Sequence, residues 1–196
     1  MQVFYLPIGQ IAVIKVMTEH VYHIALEEER HQGGVRALLA RAFGPGRMMR
    51  AIYRLRDGVP PDPGLCFVMV NRHDLVLGVV RNYRVRIGDN SKPALLLGPI
   101  AVAQSHEKLG LAARLIRHTV EEATAQALTM IYLVGDPNYY GEFGFTATNA
   151  AQVKIEGLEE GKLVLGLELV KGAALDFAGV MRNDDSVLLN QLQGWR

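Results

Sequence analysis

A chain of 196 residues, 49% hydrophobic and 21% charged, has the composition of a globular protein with one sizeable core or two small ones, which excludes disorder and simple fibres. Its single cysteine, Cys66, can neither close an internal disulfide nor supply a thiolate cluster for structural zinc. The fold is therefore expected to rest on packing in a reducing, cytoplasmic interior.

The net charge of +1 hides three unequal parts: one Lys against four Glu in residues 1–29, eleven Arg against three Asp in 30–86, and nine bases against thirteen acids in 87–196. A basic middle between acidic flanks points to an anionic ligand rather than a nucleic acid, whose binders are basic over the whole domain.

Residues 1–17, MQVFYLPIGQIAVIKVM, are apolar, but no basic segment precedes them, Pro7, Gly9 and Lys15 interrupt them, and no small-residue cleavage site follows. The uninterrupted run is too short to span a bilayer, so residues 1–19 are expected to be an extension or an edge strand with no membrane role. Residues 20–29 read as a strand. The stretch 36–43 (RALLARAF) has apolar residues at helical spacing and stops at Gly44-Pro45-Gly46. A second helix over 48–56 ends at Asp57-Gly58, and 59–64 is a proline-rich loop.

Strand signals follow at 65–70, 75–87 and 94–102, separated by turn clusters at 71–74 and 88–92, which predicts an antiparallel meander. The pattern then changes to a helix over 110–128, with Ala112, Leu115, Ile116, Val120, Ala123 and Ala127 on one face. A short buried strand at 130–134, a brief helix or turn at 137–142 and closing strands at 152–155 and 162–170 complete the reading. Residues 20–172 are expected to form one α+β domain, with 173–196 as a tail that is superficial from Asp176 onward.

Two segments carry candidate chemistry. Residues 95–115, LLLGPIAVAQSHEKLGLAARL, run strand, polar loop, glycine, helix. That order places free backbone N–H groups and the positive end of a helix dipole at a sheet end, a setting for phosphate or pyrophosphate that is also common in proteins that bind neither. Residues 136–145, DPNYYGEFGF, put two phenols directly after a short strand, with Phe143 and Phe145 available to anchor the turn. A phenol there could donate a proton, or simply cap a core edge.

Other arrangements fail on spacing. GLEEGKL at 157–163 has three residues between its glycines, ends in Leu and lies between strands, so it is no P-loop. The histidines form no HExxH pair, His118 with Glu122 reads as a solvated helix face, and Cys66 opens an apolar strand as core. No metal site is expected.

FGPGR at 43–47, YRLRDGVPP at 53–61, LLLGPIAV at 95–102, GLAARLIRH at 110–118 and LVGDPNYYGEFGF at 133–145, in this order, resemble the GCN5-related N-acetyltransferases (GNAT), and within them a bacterial YhbS-like group, over roughly residues 20–172. The resemblance implies a mixed, mostly antiparallel central sheet with helices on both faces, splayed open between its fourth and fifth strands. It implies acetyl-CoA as cosubstrate and direct attack of an acceptor amine on the thioester. By position, Ile100 and Val102 would meet the pantetheine arm, Glu107, Lys108, Leu109, Gly110, Leu111 and Ala112 would cradle the pyrophosphate, and Tyr140 would protonate the departing thiolate.

Relatives usually carry Gln or Arg at the position of Glu107 and glycine at that of Lys108, so the loop is expected to bind through main-chain amides and to take its own path. Arg47, Tyr53 and Arg54 fall on the acceptor side of the family's cleft and suit a small-molecule or protein amine bearing an anionic group. A homodimer is compatible with the resemblance. The alternative is a degenerate GNAT fold that senses CoA esters or binds a protein or RNA through its basic face.

Overall fold

The structure, a computed structural model, describes residues 22–46, 51–89 and 92–184; Arg47 and the extension 1–19 lie outside them. Strands β1 (His23–Leu26), β2 (Phe67–Val70), β3 (Val76–Ile87) and β4 (Ala94–Val102) pair antiparallel in chain order. The last three form the meander that the two turn clusters predict.

Helix α1 (Gln32–Phe43) crosses from β1 to a single turn, α2 (Ala51–Arg54), and α3 (Leu111–Ala125) follows β4. Because α3 carries the chain back across the sheet, β5 (Met130–Gly135) lies parallel to β4. A short turn of helix, α4 (Pro137–Tyr140), then leads to β6 (Val153–Lys154) and to β7 (Leu163–Glu168), which pairs antiparallel with β5. The main path of the sheet is β1-β2-β3-β4-β5-β7.

The period-2 alternation of the strands sends successive side chains to opposite layers. Leu95 and Leu97 of β4, Phe67 and Met69 of β2 and Ile131 of β5 join Leu111, Leu115, Ile116 and Ala123 of α3. Val68 and Val70 of β2 turn the other way, onto Val35, Leu38 and Leu39 of α1. Leu115 and Ile116 are fully buried, and each such side chain stabilises the fold by about 1.5–3 kcal/mol. Helix α3 is shorter than its apolar spacing predicts, since Ala127 adopts a left-handed φ of 57° beyond its end. Its buried stripe also contains Thr119, whose hydroxyl donates to the Leu115 carbonyl at 2.9 Å and so needs no water.

The largest departure from the sequence reading lies in the tail. Residues 177–184 are not a superficial tail: β8 (Gly179–Asn183) pairs antiparallel with β3 through Val85, Arg86 and Ile87 and parallel with β6. Phe177 and Met181 are 1% and 2% exposed, in a second core with Leu96, Met130 and Tyr132. Gly88, at φ +57°, makes the docking sterically feasible, because a Cβ there would lie 2.1 Å from the Ala178 carbonyl oxygen.

Candidate active site

Strands β4 and β5 pair at only two positions, Leu95 with Ile131 and Leu96 with Tyr132, and then part. The cause is on β4. Val80 of β3 faces Ile100 and Asn82 faces Leu97, so Gly98 and Pro99 together stand opposite Arg81, a bulge that bends the strand and raises its twist. Between the parted ends lies a cleft of about 530 Å³.

The ladder on the other side of β4 fixes which backbone groups face that cleft. The Ala103 N–H donates to the Leu77 carbonyl at 2.7 Å, in a register that sets Ala101 opposite Val79 and Val102 opposite Gly78. Antiparallel pairs alternate between bonded and non-bonded positions. Ala101 and Ala103 therefore direct their peptide groups to β3, while Ile100 and Val102 direct theirs to the side β5 has left. These are the two residues the resemblance assigns to the pantetheine arm.

Beyond β4, a turn of 3-10 helix (Gln104–His106) leads to exposed Glu107, Lys108 and Leu109 and into α3. Gly110 is the N-cap at φ 74° and gives no side-chain cap, so the first amides of α3 stay available to a ligand. Lys108 holds a left-handed φ of 63°, a conformation that glycine adopts freely and that costs a side-chain-bearing residue about 1 kcal/mol. Glu107 through Ala112 thus form one continuous rim from the end of β4 to the first turn of α3.

Tyr140 lines the cleft from the β5 side. Asp136 accepts from the Asn138 N–H at 2.9 Å and Pro137 occupies the first helical position, which starts α4 immediately after β5. The Tyr140 ring then folds back over Gly135, where a Cβ would lie 2.3 Å from its Cε2. Phe145, 1% exposed, meets the ring edge-on at 6.2 Å. Burial, with the neighbouring Tyr139 adding to it, pushes the Tyr140 phenol up to about 12, and its hydroxyl has no hydrogen-bond partner among the described residues. At neutral pH it keeps its proton, in a wall of the opening.

The opposite wall differs from expectation. Tyr53 lines the cleft, but Arg54 does not: it borders a separate cavity of about 460 Å³ with Glu156 and Gly157. Helical geometry separates the two, since adjacent residues on a helix project about 100° apart. Arg56, two positions past the expected set, enters the cleft instead. Its guanidinium carbon lies 5.3 Å from the centroids of both Tyr53 and Tyr83. The spacing of three from Tyr53 to Arg56 is the sequence signal that could have found it.

The remaining readings are simple. Residues 157–163 form a loop that runs into β7 with no helix to receive a phosphate. His118 packs edge-on against Phe67 at 4.5 Å, and no group of His, Cys, Asp or Glu among the described residues could hold a metal ion. Cys66 is 2% exposed, and burial pushes its thiol up to about 12, which leaves it inert at neutral pH.

Escherichia coli (strain K12) YjhQ, described as an uncharacterized N-acetyltransferase, is 22% identical over 130 residues, 66% of this chain and 72% of that protein. The crystal structure of the Escherichia coli GNAT family N-acetyltransferase YhbS in complex with CoA superposes with a TM-score of 0.70 at 21% identity, covering 85% of this chain and 92% of that one. A Brucella melitensis GNAT family acetyltransferase solved with acetyl-CoA gives a TM-score of 0.64 at 20% identity, over 86% and 99% of the two chains. At these identities the superpositions establish the fold. The family model for the GNAT acetyltransferase domain matches residues 23–148, and on that match the chain belongs to the GNAT acetyltransferase family.

Proposed function

We propose that this protein transfers the acetyl group of acetyl-CoA to the amine of an acceptor that enters from the α2 side of the cleft. The observation that carries the reading is the pair of outward-facing peptide groups at Ile100, which lines the cleft, and Val102, beyond which a short turn and loop lead to the uncapped N-terminus of α3. An extended, amide-bearing chain adds to such an edge as another strand would. The rim from Glu107 to Ala112 is then placed for its diphosphate, met by main-chain amides and the helix dipole. Glu107 opposes that charge and Lys108 offsets it, each by about 1 kcal/mol at 4 Å in water.

In the reaction the acceptor nitrogen forms a bond to the thioester carbon, the C–S bond breaks, the nitrogen loses one proton and the sulfur gains one. The outward amide of Ile100 is the donor this reading assigns to the developing oxyanion. Tyr140 supplies the hydrogen bond, and then the proton, to the departing sulfur. With its phenol near 12 it stays protonated across the neutral range, as an acid must.

Calorimetric titration with acetyl-CoA, followed by thiol release with a panel of amines, tests the proposal. Heat of binding and amine-dependent thiol are the expected result. Binding without thiol from any amine would mark a sensor of CoA esters, and no binding would overturn both readings.

A further inference from the structure

Arg56 has an unusual setting. Its Nε is buried and without a hydrogen-bond partner, and among the described residues no carboxylate pairs with it. The groups that stabilise its charge are the rings of Tyr53 and Tyr83. A Cβ on Gly98 would lie 3.4 Å from its Nη2, so the guanidinium abuts the bulge where β4 turns away from β5. Burial draws its pKa down to about 10, and at neutral pH it remains a cation. Holding an unpaired charge in a partly desolvated place works against folding, whereas the other inward arginines have partners: Arg81 with Glu27 and Arg84 with Asp62.

We infer that Arg56 is the receptor for a carboxylate on the acceptor, so that the second substrate is an amine that also carries a carboxylate. This rests on the acetyl-transfer reading above. A guanidinium fork matches a planar carboxylate in charge and shape. A phosphate dianion fits less well, because Asp136 and Glu159 also line the cleft, balancing Arg56 and Lys162, so a second negative charge on the ligand gains no further cation there. The tyrosine rings on either side restrict the fork, which favours recognition over the indifferent pairing of a mobile surface arginine.

Two measurements test this. In thiol-release assays on matched pairs of free amino acids and their carboxamides, the carboxylate member should have the lower KM by roughly tenfold or more. Arg56→Met should abolish that preference and Arg56→Lys should retain part of it, both with acetyl-CoA affinity unchanged by calorimetry. The second measurement needs no turnover: an NMR titration of the Arg56 Nε–H resonance with N-acetyl amino acids and their carboxamides, with and without CoA, should show shifts with the acids alone.

Equal KM values within pairs, a preference that survives in Arg56→Met, or a resonance that ignores the acids would each overturn the inference. So would a uniform loss of kcat on every amine, which would place Arg56 at the thioester. If O-phosphoethanolamine outcompetes the acids and depends on Arg56, the ligand is a phosphate and the carboxylate assignment is overturned. Absence of CoA binding with intact acid-induced shifts would instead remove only the acetyl-transfer reading.

Discussion

The two walls of the cleft hold their polar groups in opposite ways. On β4 they are peptide groups, at Ile100 and Val102, fixed by the register with β3. Elsewhere around the opening they are side chains: Arg56 and Tyr53 from α2 and the turn after it, and Tyr140 from α4. A peptide wall recognises any extended chain that offers amides and tolerates side-chain change. A side-chain wall defines one reactant, or one proton, and a single substitution alters it. Substitutions on the two walls should therefore separate cosubstrate affinity from turnover and acceptor choice.

The strongest test of that separation is Tyr140→Phe, which should lower kcat by roughly 10²–10⁴-fold while acetyl-CoA affinity by calorimetry stays the same. Because the phenol keeps its proton up to about 12, the wild-type pH–rate profile should show no descending limb from Tyr140 below that value. A wild-type limb near neutrality that vanishes in the variant would contradict the assignment.

Gly135→Ala comes next. The added methyl would collide with the Tyr140 ring, and a displaced donor costs about a hundredfold in kcat, with the CoA rim untouched. On the other wall, Ala112→Glu should weaken acetyl-CoA binding by roughly fivefold to tenfold at low salt. That loss should shrink as salt is added, and kcat at saturation should persist.

The smallest effect is one of stability. The folded pKa of Cys66 is raised, so the native state keeps a proton that the unfolded chain releases. Its contribution is complete below the ordinary thiol pKa and is lost as pH rises through the interval up to about 12. Urea midpoints should thus decline above roughly pH 9, and Cys66→Ala should flatten part of that decline.

Much of the peptide wall was legible because it is local: strand, loop, glycine and helix follow one another in residues 95–115, and their order alone places Gly110 at a helix start. The aromatic turn was legible for the same reason, since Asp136-Pro137 announces a helix directly after a strand. The side-chain wall was not. In the run of arginines from Arg41 to Arg56 the only local hint is the spacing of three between Tyr53 and Arg56, which does not by itself say which arginine turns inward. The choice is made by distant residues, Tyr83 on β3 and Gly98 on β4, which supply a ring face and a vacant Cβ position. Strand β8 escaped detection because its signal is brief and one of its partners, β6, has only two residues. Long-range pairing, not local propensity, makes it a strand.

That late strand has a practical bearing on any attempt to shorten the molecule. A chain cut at residue 172, after the last strong strand signal, would keep each group on the cleft surface yet remove the floor beneath them. Phe177 meets Tyr132 of β5 edge-on at 6.1 Å, and β8 zips the far end of β3. A trimmed form would still look intact at its reactive surface, but β5, which leads into the turn that carries Tyr140, would lose its packing on that face.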